Sequence, residues 1–218
     1  MAKLWSFILD LLFPPRCAFC RRLLTAGESG MCLRCENDLP FTTGGGRQGF
    51  DFIDSCVAPL YYEGNVRDAL IRYKFDGATA YAGLFGRLTA SCIRERLEGS
   101  YDLISWVPLS GKRLKTRGYD QAMLIAMAAA LELSDVAAET LRKVKDTAPQ
   151  SKTGAGEARR ANISGAYEVC DAELVAGKRI LLIDDIVTTG ATLSECARML
   201  GLAGAESVVA AAVARSRD

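Results

Sequence analysis

The densest chemistry in this chain lies in one run, Arg179-Ile180-Leu181-Leu182-Ile183-Asp184-Asp185-Ile186-Val187-Thr188-Thr189-Gly190-Ala191-Thr192. Four apolar residues specify a buried strand, two adjacent carboxylates stand at its C-terminal end, and a Thr/Gly turn opens a helix. In an open α/β sheet that edge is where ligands bind. Gly190 lets the backbone come close to a phosphate, and Thr188, Thr189 and Thr192 offer hydroxyls beside the unpaired N–H groups of the helix start. Asp184 and Asp185 can accept hydrogen bonds from the vicinal hydroxyls of a ribose and help to hold a Mg²⁺ ion that also touches pyrophosphate. The plainer reading is a strand end followed by an ordinary helix entry. It leaves two neighbouring carboxylates with a desolvation cost and no return.

Two basic stretches could serve the same ligand. The segment from Val107 to Asp120 carries four cations, Lys112, Arg113, Lys115 and Arg117, against one anion. Clustered cations beside a phosphate site suit pyrophosphate, and the fork of Arg suits bidentate contact; a solvated basic loop is the alternative. The second stretch, Lys145 to Asn162, holds Thr147, Gln150, Lys152, Arg159, Arg160 and Asn162. A segment of that length within a compact domain is functional or unstructured. Lys74, between Tyr73 and Phe75, reads either as a further phosphate contact or as a stem covering apolar surface.

The cysteines do a different kind of chemistry. Cys17 and Cys20, an eleven-residue spacer, then Cys32 and Cys35 make two C-x2-C knuckles. Four thiolates at that spacing close a tetrahedral structural Zn²⁺ site with no open position for water. Two small disulfides, four free thiols or a rubredoxin-like iron are the alternatives. Cys56, Cys92, Cys170 and Cys196 are isolated and read as small buried hydrophobes. Arg16, Arg21, Arg22 and Arg34 flank the knuckles, where nucleic acid or protein could be met.

The run from Arg179 resembles the phosphoribosyl pyrophosphate signature of type I phosphoribosyltransferases. That resemblance implies that Asp184 and Asp185 contact the ribose hydroxyls and that Val187, Thr188, Thr189, Gly190, Ala191 and Thr192 bind the 5-phosphate. With Phe13-Pro14-Pro15-Arg16-Cys17, Lys74-Phe75-Asp76-Gly77, Val107-Pro108-Leu109, Arg117-Gly118-Tyr119-Asp120-Gln121 and Arg159-x-x-Asn162, nearly the whole chain is similar to the competence protein ComF family. Membership implies a type I phosphoribosyltransferase fold behind a small N-terminal zinc-ribbon unit, and a role in DNA uptake during natural transformation. It implies phosphoribosyl pyrophosphate with Mg²⁺ as ligand, Lys112 and Arg113 on pyrophosphate, and Asp184, Asp185 and Arg117 as the catalytic set if transfer occurs. The second basic stretch resembles the family's mobile catalytic loop. Asp120 stands where the family has Asn, and Ser151-Lys152-Thr153 replaces a more apolar run. No hood over an acceptor base is recognisable. Turnover and holding without turnover, by a module that senses nucleotides or handles single-stranded DNA, are both open.

The elements that must position these residues follow from periodicity. Strands are expected at Val57 to Tyr62, Leu103 to Val107, Ile180 to Ile183 and Ser207 to Val213, with weaker ones near Thr140 to Val144 and Ala166 to Val169. Helices are expected around Val66, Leu70 and Tyr73, from Tyr81 to Leu97, from Asp120 to Leu131 and from Leu193 to Leu202. Alternation of strand and helix argues an α/β fold with a parallel sheet covered on both faces. Thr42-Thr43-Gly44-Gly45-Gly46 reads as a flexible joint, dividing residues 1–45 from 46–218.

Composition sets the outer limits. The chain has 218 residues, half of them hydrophobic, enough for one α/β core and a satellite unit. Its 27 Lys and Arg balance 26 Asp and Glu, so no global field draws it to nucleic acid or membrane. Without histidine, every Ser-His or Cys-His nucleophile is excluded. Leu4 to Phe13 reads as a short amphipathic helix, with a signal peptide as the alternative, and is too short to span a bilayer. Paired cysteines without a distributed disulfide framework fit a reducing cytoplasm; single-stranded DNA, DNA-uptake proteins and a second copy of the chain are the expected partners.

Overall fold

The computed structural model describes residues 14–145 and 165–217. The N-terminal apolar decamer and nearly all of the second basic stretch, including Thr147, Gln150, Lys152, Arg159, Arg160 and Asn162, lie outside the described residues. In chain order the strands are β1 (Gln48–Phe50), β2 (Ile53–Val57), β3 (Leu60–Tyr61), β4 (Leu103–Trp106), β5 (Leu141–Lys143), β6 (Tyr167–Val169), β7 (Arg179–Val187) and β8 (Ser207–Arg215). The helices are α1 (Leu33–Asp38), α2 (Gly64–Phe75), α3 (Tyr81–Arg96), α4 (Gly111–Arg117), α5 (Gln121–Leu133), α6 (Ala172–Val175) and α7 (Ala191–Leu202).

Ile180 to Ile183 of β7 and Val208 to Ala214 of β8 are unbroken apolar runs because both of their faces are covered. They form the centre of a sheet in the order β1-β2-β8-β7-β4, with β3 also on β8, and every pairing but β1 with β2 is parallel. Alternation along β7 sends Leu181 and Ile183 to one face, with α2, α3 and α5, and Ile180 and Leu182 to the other, with α7. β8 divides the same way, Val209 and Ala211 against Val208 and Ala210. The α/β parallel architecture expected from the sequence is therefore present. At the far end of the sheet Arg179 fixes the register, its Nε donating to Asp102 Oδ2 at 3.0 Å.

Four local expectations are corrected. The strand expected at Val57 to Tyr62 is two strands, parted at Ala58-Pro59, where proline has no N–H to give a ladder. The first basic stretch is not a loop throughout: Ser110 caps α4, Gly118 ends it at φ +80°, and the run of cations hid its helical period. The weaker strand candidates do exist, but β5 and β6 pair with each other, antiparallel, outside the main sheet. The triglycine segment is a pinned turn rather than a free joint. Gly44, Gly45 and Gly46 all have positive φ, the Ala58 N–H donates to Gly45 O at 2.8 Å, and Thr42 Oγ1 donates to Ala58 O at 2.6 Å.

Candidate functional site

The acid pair lies inside β7 and not past its end. β4 follows β7 only as far as the Val107 N–H, which donates to Ile183 O at 2.9 Å, and Pro108 then turns the chain away. β8 stays alongside through Val187. Asp184 and Asp185 thus stand where one flank of the central strand is vacated, and successive side chains point to opposite faces.

Asp185 faces α2. Lys74 Nζ lies 2.9 Å from Asp185 Oδ1, with only 21% and 11% of the two side chains exposed. Lys74 therefore neither merely covers apolar surface nor points to solvent; it balances the site's negative charge. Asp184 lies towards Cys56, Cys196 and Tyr167. Burial, then the charge of Asp185, pushes its pKa up to about 8, against the pull of Lys74. Its Oδ1 accepts the Asp185 N–H at 2.7 Å.

The turn that follows fits an anion. Val187 is buried, Thr188 and Thr189 are exposed, and Gly190 at φ +70° starts α7 without a capping side chain. The first N–H groups of a twelve-residue helix, through Ala191 and Thr192, are left to meet a ligand. No residue but glycine fits the start: a Cβ on Gly190 would sit 2.2 Å from Phe50 Cδ1. Phe50 belongs to the β1–β2 hairpin, which sequence reasoning did not foresee.

α4 sorts the first basic stretch. Arg113 and Arg117, one turn apart, are partly buried, whereas Lys112 and Lys115 are exposed. Arg117 stands in the field of Asp185. Burial lowers its pKa from the usual guanidinium value, and the charge of Asp185 opposes that. Arg117 donates to Gln121 Oε1 at 2.8 Å. Asp120 is committed to structure: Oδ1 accepts the Met123 N–H as cap of α5, and Oδ2 accepts the Leu109 N–H at 2.8 Å. Burial raises its pKa, and those backbone donors work the other way. Tyr119 completes the wall, its hydroxyl donating to Tyr73 O.

The four knuckle sulfurs of Cys17, Cys20, Cys32 and Cys35 lie within 4.8 Å of one another. Four sulfurs at ~2.3 Å from a tetrahedral Zn²⁺ are separated by about 3.8 Å, and Cys20 and Cys32 stand 3.7 Å apart. Burial opposes ionisation of Cys32, but the Cys35 N–H, Arg22 and the neighbouring thiols outweigh it and bring the pKa down to about 6. Burial drives Cys35 the opposite way, so the full thiolate set requires a cation. The residues fit a structural zinc. Of the isolated cysteines, Cys56, Cys92 and Cys196 are buried as expected, while Cys170 is exposed.

Known proteins share both parts. A phosphoribosyl transferase domain matches residues 120–218, and a double zinc ribbon domain matches residues 8–45. Competence protein ComFC of Streptococcus pneumoniae is 31% identical over 147 residues, 67% of this chain and 62% of that protein. Competence protein F of Haemophilus influenzae is 25% identical over 224 residues, covering 92% of this chain and 97% of that one. DNA utilization protein YhgH of Salmonella typhi is 35% identical over 109 residues, 49% of this chain and 46% of that protein. The chain thus spans less than two thirds of the pneumococcal relative and nearly all of the Haemophilus one. Among solved structures, a glutamine phosphoribosylpyrophosphate amidotransferase from B. subtilis aligns with 64% of this chain and 30% of its own, at 18% identity and a TM-score of 0.45. Lys74 and Arg117 precede the matched phosphoribosyl transferase segment yet meet its acid pair in space. The identity to ComFC over two thirds of this chain, with a double zinc ribbon model and a phosphoribosyl transferase model matching in that order, makes the chain a member of the competence protein ComF family.

Proposed function

We propose that the chain binds phosphoribosyl pyrophosphate with Mg²⁺ at the vacated flank of β7 and acts in DNA uptake during natural transformation. The observation that carries the ligand is the conjunction of Lys74 on Asp185 at 2.9 Å with the uncapped, glycine-started helix α7 five residues on. The α7 amides and the hydroxyls of Thr188, Thr189 and Thr192 hold the 5-phosphate. Asp184 and Asp185 accept from the ribose hydroxyls and would hold Mg²⁺, which supplies positive charge to the pyrophosphate oxygens. Arg117 and Arg113, on the inward side of α4, face the leaving pyrophosphate, and Lys112 reaches it from the outer side. The role in DNA uptake draws on the competence proteins and DNA utilization protein that the chain resembles.

Transfer to an acceptor and holding without turnover differ in one product. Two of the relatives are named for competence and one for DNA utilization, none for transfer, which favours the second. Calorimetry with phosphoribosyl pyrophosphate, with and without Mg²⁺, tests binding. Folded protein giving no Mg²⁺-dependent heat refutes the ligand, and pyrophosphate release with nucleobases decides turnover. No helix among the described residues is long and apolar enough to cross a membrane; cytoplasmic action, and assembly with a second copy, complete the proposal.

A further inference from the structure

Phe75 closes α2 one residue after Lys74, and its side chain has no part in the core. The helix buries Val66, Ala69, Leu70 and Tyr73, whereas Phe75 is 66% exposed. A lone exposed phenylalanine is commonplace. This one is braced: the guanidinium carbon of Arg117 lies 4.9 Å from the ring centroid. Arg117 is itself fixed by Gln121 at 2.8 Å and sits in the field of Asp185. Lys74 is tied to Asp185 at the same time, so the backbone carrying the ring is anchored beside the acid pair. With a cation over one face and the residue two thirds exposed, the ring offers its other face to solvent, beside the acid pair proposed to hold the ribose.

We propose that Phe75, backed by Arg117, is a stacking platform for a nucleobase. The ligand class is a planar heteroaromatic base, free as an acceptor or carried by single-stranded DNA. A flat face suits any base, and a guanidinium behind the ring adds cation–π attraction. Only the orientation of the base towards a ribose depends on the phosphoribose reading; the platform itself does not. Phe75 also supplies what the sequence lacked, a contact for a base where no hood is recognisable.

The test uses the full chain and three variants, Phe75→Ala, Phe75→Leu and Phe75→Trp. The probes are an oligothymidylate of roughly twelve nucleotides, an abasic oligonucleotide of equal length, free adenine, and phosphoribosyl pyrophosphate with Mg²⁺. Loss of one stacked base should weaken oligothymidylate binding about tenfold in the Ala and Leu variants, while Trp retains it. Abasic binding and Mg²⁺-dependent phosphoribosyl pyrophosphate binding should stay within about twofold of the unaltered chain. Adenine binding that needs Phe75, without an effect on oligothymidylate, identifies the base as a free acceptor; the reverse identifies DNA. The platform is refuted if folded Phe75→Ala binds both bases as the unaltered chain does, or if Leu serves as well as Trp. Loss of phosphoribosyl pyrophosphate binding in all three variants would recast Phe75 as a support for Lys74. An unaltered chain that ignores phosphoribosyl pyrophosphate but loses oligothymidylate on Phe75→Ala keeps the platform and refutes the phosphoribose reading alone.

Discussion

Asp184 is a carboxyl that the fold makes reluctant to ionise. Unfolded, it titrates near 3.8; folded, burial and the adjacent Asp185 hold it to about 8. Between those values the folded chain keeps a proton that the unfolded chain gives up. The stability from this group is therefore whole below about pH 4 and drains away as pH rises towards 8. Asp184→Asn removes that loss while its Oδ1 can still accept the Asp185 N–H. It should raise the melting point by roughly 3–10 °C at pH 8 and leave it unchanged at pH 4. The same change should abolish the Mg²⁺-dependent component of phosphoribosyl pyrophosphate binding. Because a cation must expel the proton, binding below pH 8 should release one, and calorimetry in buffers of different ionisation enthalpy would count it. A variant that gains no stability at pH 8 denies the buried proton.

At the scale of elements, the turn from β7 into α7 is held by packing as much as by its own sequence. Gly190→Ala places a methyl into the Phe50 ring and forces a residue with a side chain to φ +70°. A destabilisation of about 1–3 kcal/mol and loss of phosphate affinity should follow, measurable by denaturant unfolding and by titration. Gly86→Ala makes a parallel case without the site: its Cβ would fall 2.4 Å from that of Ala128, parting α3 from α5. It should cost a similar amount and leave ligand affinity per folded molecule unchanged. Much of this could be read beforehand, because the strand, the acids and the helix opening are contiguous, and the apolar runs of β7 and β8 have few other uses. What could not be read lies across space. Phe50 meets Gly190 from a hairpin of three and five residues too short and glycine-broken to show a period. Lys74 and Asp185 are 111 positions apart, so only the fold reveals that one answers the other. α4 was concealed because its cations are polar on every side, leaving capping as the only local signal.

At the scale of the whole molecule, the zinc unit is not an appendage. Cys17, Ala18, Phe19, Cys32, Cys35 and Leu39 share one buried cluster with α2, α3 and α5. The Phe19 ring meets Phe85 edge-on at 6.3 Å, and Phe85 meets Tyr73 at 5.3 Å. Arg72, two residues before Lys74, donates to Ala18 O at 2.8 Å and to Phe19 O at 3.0 Å, both within the first knuckle. The knuckle thus grips the helix that delivers Lys74 to Asp185. Cys32→Ser with Cys35→Ser should therefore reach beyond the N-terminal unit, because that unit and the α/β domain share one buried cluster. Removing the metal should expose Phe19 and Phe85, lower the melting point of the whole chain, and loosen the end of α2. Mg²⁺-dependent phosphoribosyl pyrophosphate affinity should then fall about tenfold without any change at β7, since one charged partner is worth ~1.5–3 kcal/mol. Arg72→Met separates the causes: the four thiols remain, so zinc content by elemental analysis should stay at one per chain while the affinity drops. If the zinc-free chain or Arg72→Met binds as tightly as the intact protein, the ribbon holds α2 without informing the site.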